Sequence, residues 1–243
     1  MEYFSLLILM ICMMGVLYSS VGHGGASGYL AAMALFGLAP DVMKPAALTM
    51  NLFVASLVLI RLYRAHYFSW RLFLPIALAS MPMAFWGGTL TPDARTFQYV
   101  VGAALLIASL SFFIKIRNEH ECVEPRLTIA LPVGGILGFV SGLTGVGGGI
   151  YLSPLLLWLR WTKMRTNAAI AAAFILVNSA AGLAGHVMTV NTWPSDIGWY
   201  VIAALVGAVI GAEFAVRRLA PAVLRQLLGI VLVIAGVKML LTA

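Results

Sequence analysis

Charged residues are scarce in this chain. They make up 9% of its 243 residues, whereas soluble domains carry about 25%. Hydrophobic residues make up 62%. This composition excludes an ordinary soluble domain and indicates a protein that lies in a lipid bilayer.

Residue types that commonly serve in catalysis are also few. The chain has two cysteines, and its four histidines fall on different segments, at positions 23, 66, 120 and 186. The sequence contains no metal-ligand cluster, no nucleophile–base pair and no paired carboxylates. We therefore expect a protein that is not an enzyme, with no catalytic residue, no metal and no cofactor. Nucleic acid is not expected as a partner, because the basic residues lie between apolar segments and are typical of cytoplasmic loops.

The apolar segments form two similar halves. The first half, 1–116, contains a glycine-broken hairpin at 4–38 and helices at 44–62, 70–90 and 97–114. After a charged linker at 117–126, the second half, 127–243, contains a hairpin at 128–159 and helices at 167–189, 196–216 and 223–241. One constant shift aligns Gly22, Gly24 and Gly25 with Gly145, Gly147 and Gly148, and Trp70 with Trp193. Such internal repeats are typical of transporters.

Each half is a hairpin, which enters and leaves on the same side, followed by three spans. Because three is an odd number, the second half starts on the opposite side of the membrane and is predicted to be inverted. With that arrangement, Lys44, Arg95 and Lys238 fall on one side, and the other twelve of the fifteen Lys and Arg residues fall on the opposite side. Basic loops stay in the cytoplasm, so both termini are expected in the periplasm. His186 and Asp196 flank an outward loop and are expected to be solvated. The predicted fold is an all-α integral membrane protein with an inverted repeat.

Both glycine clusters fall at the turn of a hairpin. A helix that restarts after such a turn offers free N–H groups and a positive dipole end, which suit an anion. If the two turns meet near the membrane midplane, they form one site for a small oxyanion. The other interpretation of a membrane glycine is close helix packing, and we favour it for Gly15, Gly28, Gly102, Gly138 and Gly207.

The candidate substrate-binding residues are the two turns and the uncharged polar residues of nearby helices. His23 is the one ionisable residue at a predicted turn; it is either a proton carrier or a neutral histidine of the packed interior. Polar residues at this depth also serve as ordinary interhelical contacts. The candidates are Gly22, His23, Gly24, Gly25, Ala26, Ser27, Thr49, Asn51, Gly145, Val146, Gly147, Gly148, Gly149, Asn178 and Ser179.

At these residues the chain resembles the sulfite exporter TauE/SafE family of membrane permeases. The resemblance rests on the paired turns, on GGGIYLSP at 147–154, and on the helix openings KPAALTMN and TNAAIAAAFILVNSAAG. It implies an inverted-repeat carrier of sulfite or an organosulfonate in the bacterial inner membrane. The first half departs from the usual pattern at Ala26, where a third glycine is common, and at His23.

Two alternatives remain open from the sequence: an anion channel with the same glycine-rich helix starts as its filter, and an uptake permease for a different organic anion. The expected partners are a small anion and the lipid bilayer. Proton coupling and homodimer formation are left open.

Overall fold

The computed structural model describes residues 2–20, 25–113, 122–190, 193–217 and 221–243, with backbone alone at 2, 26, 214–217 and 221–225. Helices dominate these residues, and no strand occurs among them. In chain order they are α1 (Glu2–Ser20), α2 (Ala26–Leu35), α3 (Pro40–Arg64), α4 (Trp70–Thr89), α5 (Ala94–Phe113), α6 (Leu127–Thr144), α7 (Gly149–Trp158), α8 (Met164–Thr189), α9 (Ile197–Arg217) and α10 (Pro221–Thr242).

Six of the described helices are long and apolar enough to cross a membrane: α1, α3, α4, α5, α6 and α8. Shorter apolar stretches lie in α7, α9 and α10. A helix forms its backbone hydrogen bonds within itself, so it can cross lipid without leaving backbone polar groups unpaired. The predicted fold class, an all-α integral membrane protein, is confirmed.

Glycines bring the helices together at backbone contact distance. Along α6, three glycines spaced by four residues lie on one face, and a Cβ atom added to any of them would lie within 2.4 Å of an α4 carbonyl oxygen. The contacting pairs are Gly134–Ile76, Gly138–Ser80 and Gly142–Ala84. Residue numbers rise together along both helices, so α4 and α6 run parallel.

The same kind of contact joins α1 to α9, where a Cβ added to Gly15 or Gly207 would lie 3.1 Å from the Cα of the other. The packing role expected for five glycines is confirmed, because each has a neighbouring atom within 3.0 Å of an added Cβ. These five are Gly15, Gly28, Gly102, Gly138 and Gly207.

One end of the helix bundle gathers basic residues. Arg71 at the start of α4 pairs with Glu124 at 3.0 Å, and the Val123 N–H donates to the Arg160 carbonyl at 2.8 Å. Arg165 at the start of α8 donates to the hydroxyl of Tyr67, just beyond the end of α3. We call this the basic end; its residues are Arg64, Arg71, Arg126, Arg160, Lys163 and Arg165.

The other end, called the opposite end below, holds the start of α3, the end of α4, the start of α5 and the ends of α2 and α10. The Lys44 Nζ donates to the Leu90 carbonyl at 2.9 Å, the Arg95 Nε donates to Ala243 at 2.7 Å, and the Lys238 Nζ donates to Ala34 at 3.0 Å. Lys44, Arg95 and Lys238 are the same three basic residues that the sequence separates from the other twelve.

Two pairs of helices, α1 with α6 and α2 with α7, run in opposite directions. The α2 helix ends at the opposite end. It lies antiparallel to α1, because the Tyr18 and Ser27 hydroxyl groups are hydrogen-bonded at 2.6 Å and a Cβ added to Gly28 would contact Met14, one turn earlier in α1. The α1 helix therefore starts at the opposite end, whereas α6 starts at the basic end. Likewise α2 ends at the opposite end and α7 ends at the basic end.

Candidate functional site

The second glycine cluster separates two helices inside the bundle. The α6 helix ends at Thr144 and α7 begins at Gly149. Between them, Gly145, Gly147 and Gly148 have φ angles of 81°, 79° and 73°. This left-handed region is strained for residues with a side chain, so the local backbone explains why glycine recurs here.

This break lies about halfway along the neighbouring spans. Gly149 touches Ile175 and the Ala171 carbonyl, close to the middle of α8. Gly147 lies against Asn51, near the middle of the 25-residue α3, and against Ser179 of α8. The N–H groups of Tyr151 and Leu152 donate to the Gly148 carbonyl, at 3.1 Å each, whereas those of Gly149 and Ile150 have no partner within their own helix. The positive dipole end of α7 points into the interior of the bundle.

Asn51 joins the break to both long helices. Its Nδ2 donates to the Gly145 carbonyl at 3.4 Å and to the Ser179 Oγ at 3.2 Å, and the Asn51 side chain is fully buried. The Cβ that Gly147 lacks would lie 3.0 Å from this Nδ2. The structure therefore brings together Asn51, Gly145, Gly147 and Ser179, four residues that the sequence named as candidates.

Val146 is also buried at the break, and its N–H donates to the Thr144 Oγ1 at 3.3 Å. It belongs to one apolar cluster with Ile150 of α7, Tyr29 of α2 and Met50 of α3. The cluster links the start of α7 to the half-helix α2 of the first repeat.

Two other candidates have their polar groups directed elsewhere. The Thr49 Oγ1 donates to the Pro45 carbonyl of its own helix at 2.8 Å, and residues two apart on a helix do not share a face. The Asn178 Nδ2 donates to the Phe174 carbonyl at 2.9 Å, also within its own helix. The Asn178 Oδ1 is buried without a hydrogen-bond partner among the described residues.

The first glycine cluster is described in part. Gly22, His23 and Gly24 lie outside the described residues. The α1 helix ends at Ser20, and α2 begins at Ala26 after Gly25, whose φ is 84°. The Ser27 hydroxyl is buried against Tyr18.

One expectation about an ionisable residue is wrong. His186 was expected to be solvated beside an outward loop, but its side chain is 4% exposed within α8, because the last turn of that helix packs against the end of α4. Lys44, the first residue of the helix predicted at 44–62, lies one turn inside α3 and is 3% exposed, and its burial was not predicted. Its three nearest acceptors are carbonyls at the end of α4, about 45 residues later in the chain, and no local sequence pattern marks such a partnership.

The described residues contain no group of three His, Cys, Asp or Glu side chains that is able to hold a metal ion. The break presents backbone N–H groups and uncharged amide and hydroxyl groups. Such groups can hold a small anion through hydrogen bonds without a buried counter-charge at the contact point.

The relatives that resemble this chain carry the names of membrane transporters. The chain is 36% identical to a probable membrane transporter protein of Sinorhizobium fredii, with 92% of each chain covered. It is 29% identical to a probable membrane transporter protein of Methanocaldococcus jannaschii, over 97% of this chain and 95% of that one. A probable membrane transporter protein of Bacillus subtilis is 20% identical over 96% of this chain and 98% of its own. No solved structure matches the chain.

The resemblance noted in the sequence is confirmed by the family model described as sulfite exporter TauE/SafE, which matches residues 7–239. Because this match covers nearly the whole chain, the protein belongs to the sulfite exporter TauE/SafE family.

Proposed function

We propose that this protein is a secondary carrier that moves a small anion, with sulfite or an organosulfonate as the expected substrate, across the bacterial inner membrane. Its family and the names of its relatives support a membrane transporter rather than an enzyme. Direction, substrate and mechanism are parts of the proposal. A topology with the basic end in the cytoplasm and both termini in the periplasm follows from the positive-inside rule.

One observation carries the proposal: a helix starts halfway through the bundle, and a buried amide lies beside that start. The α7 start supplies N–H donors, and Asn51 lies against Gly147. A site made of uncharged donors suits an anion that has to leave again, because it avoids a strong ion pair in the membrane interior. In the proposal the turn at Gly22, His23, Gly24 and Gly25 completes the site from the other half.

The helix directions support alternating access. The half-helices α2 and α7 run toward opposite ends of the bundle, as an inverted repeat requires. In carriers of this kind one repeat rocks against the other around a central site. Export of an anion from a negative cytoplasm is favoured by about 2.3 kcal/mol per charge per 100 mV, so an exporter has no need of a coupled ion.

A screen of ligands against the purified protein tests the substrate class. A ligand that binds the folded protein raises its apparent stability, so thermal unfolding is measured with sulfite, sulfate, methanesulfonate, carboxylates and phosphate. We expect upward shifts with the sulfur oxyanions. Shifts with carboxylates alone favour the alternative of an uptake permease for a different organic anion, and no shift with any anion contradicts the proposal.

Counterflow separates the carrier from the anion channel. Proteoliposomes are loaded with unlabelled anion, and uptake of a labelled trace of the same anion is followed. A carrier accumulates label transiently above equilibrium, because its loaded site returns during each cycle, whereas a channel does not. Absence of counterflow, together with rapid flux that does not saturate with anion concentration, supports the channel.

A further inference from the structure

We propose that Lys44 is the fixed positive charge that attracts the anion toward the site at the α7 start. This inference rests on the proposed function and deepens it, because it assigns the electrostatic attraction to one residue. It also predicts how strongly binding depends on the charge of the anion.

Lys44 is a buried cation, and no other Lys, Arg, Asp or Glu side chain is buried among the residues whose side chains the structure describes. Its side chain is 3% exposed, and its Nζ donates to the carbonyls of Gly87 at 3.3 Å, Gly88 at 2.9 Å and Leu90 at 2.9 Å. An ammonium group has three N–H donors, so all of them are used. The carbonyl groups orient the ammonium group, but they carry partial charges and leave its full positive charge without a counter-ion.

No carboxylate neutralises this charge within the part of the chain that the structure describes. Arg71 and Glu124 form an ion pair, and it lies at the basic end. Asp41, one turn before Lys44, is exposed and accepts a hydrogen bond from the Val42 N–H. His186, near the end of α8, is an ionisable neighbour of Lys44 that is not an anion. An unpaired buried charge is unfavourable, and an anion entering the bundle would compensate it.

Lys44 also adjoins the second glycine cluster. A Cβ added to Gly145 would lie 3.2 Å from the Lys44 carbonyl oxygen and 3.6 Å from the Lys44 Cγ. Lys44 precedes Asn51 by seven positions on α3, which at 1.5 Å per residue is about 10 Å along the helix. Because the α4 carbonyls use all three donors of the Nζ, the ammonium group acts on an anion at the α7 start through its field and not through a hydrogen bond.

The size of the effect follows from Coulomb's law. If the spacing of about 10 Å between Lys44 and Asn51 along α3 is taken as the separation, and the effective dielectric constant is near 20, one unit charge changes the affinity for a monovalent anion by roughly tenfold. For a divalent anion the energy doubles, so the affinity changes by roughly a hundredfold. A residue that only caps the end of α4 would lower affinity for both anions by the same factor.

The test compares Kd values for methanesulfonate and sulfate, which share a tetrahedral centre and differ in charge. Lys44→Gln removes the charge and keeps N–H donors for the α4 carbonyls. We expect its Kd to rise roughly tenfold for methanesulfonate and roughly a hundredfold for sulfate. If the protein binds one of the two probes alone, the Kd for that probe has to rise by at least about tenfold. Unchanged affinities, or equal losses for both anions, overturn the inference and leave the proposed function intact. A wild-type protein that binds neither probe nor any other anion contradicts the proposed function itself.

Lys238→Gln is the matched control. Lys238 caps α2 in the same way, through Ala34 at 3.0 Å and Leu35 at 2.6 Å, but its side chain is half-buried and its charge is therefore screened. We expect it to lower stability without changing the ratio of the two Kd values. If Lys44→Gln does not fold, His186→Glu places a carboxylate near the same ammonium group, and we expect the same larger loss for sulfate than for methanesulfonate. Equal losses there overturn the inference.

Discussion

Replacing Gly147 by alanine tests whether the glycine break is a working part of the carrier. Gly147 has a φ of 79°, and an added Cβ would lie 3.0 Å from both the Asn51 Nδ2 and the Ile175 Cγ2. The methyl group therefore has two consequences. It strains the backbone, and it pushes on the amide that connects the break to α3 and α8.

The expected loss of stability is moderate. A left-handed conformation costs an alanine about 1–2 kcal/mol, and a displaced Asn51 loses hydrogen bonds of about 1 kcal/mol each. For a chain of this size, 1 kcal/mol corresponds to a change of about 2–4 °C in Tm. We therefore expect the Tm of Gly147→Ala to fall by roughly 6–16 °C, with a folded protein remaining at growth temperature and anion uptake strongly reduced.

Gly135→Ala is the control within the same hairpin. A Cβ at Gly135 has Met83 Cγ at 3.7 Å as its nearest neighbour, which is an ordinary contact, and the residue lies inside α6. Alanine is preferred to glycine in a helix by about 1 kcal/mol, so Tm and uptake should be unchanged or slightly raised. Uptake is measured in proteoliposomes containing equal amounts of each folded variant. Wild-type uptake by Gly147→Ala would refute the proposal that the break forms the site.

Three further predictions follow from individual residues. Asn51→Leu should abolish uptake and lower Tm, because it leaves the buried Ser179 hydroxyl without its partner. Thr49→Val should transport normally, since the Thr49 hydroxyl donates to a carbonyl of its own helix. Equal defects in the two variants would contradict the placement of the site on the Asn51 face of α3. In a Cys12→Ala background, exposed Cys122 should react with a membrane-impermeant maleimide only in inverted vesicles, and labelling of intact cells would reverse the proposed topology. His23→Gln should remove any pH dependence of uptake if His23 carries a proton; a retained pH profile would exclude that role.

Much of the fold follows from the sequence, because membrane spans are long and nearly free of charge. The segment predicted at 70–90 corresponds to α4, Trp70–Thr89, and the segment predicted at 97–114 corresponds to α5, Ala94–Phe113. Bounds were less accurate where a helix starts with polar residues: the predicted segment at 44–62 omits the first turn of α3, which begins at Pro40. Proline is favoured in the first turn of a helix, and this signal extends the helix past the apolar run.

The candidate site was predictable only in its local parts. Glycine clusters appear in the sequence because several neighbouring residues share one backbone requirement. The contact between Asn51 and Ser179 joins residues 128 positions apart, and no local pattern encodes it. The same reason explains why Thr49 and Asn51 look equivalent in the sequence although their side chains lie on different faces of α3.

The separation of charge from hydrogen-bonding groups is the physical feature that relates this fold to transport. A cation in direct contact with the anion would bind tightly, because low dielectric strengthens the ion pair, and release would become slow. The break instead offers backbone N–H donors, while the Lys44 ammonium group is held at the end of α4 by three carbonyls. A charge held at the end of α4 lowers the energy of an anion throughout the space between the site and the opposite end, so it favours entry without fixing the anion at one point. The double variant Asn51→Lys, Lys44→Asn moves the positive charge to the α7 start. It should therefore bind the anion more tightly and turn over more slowly than the wild-type protein.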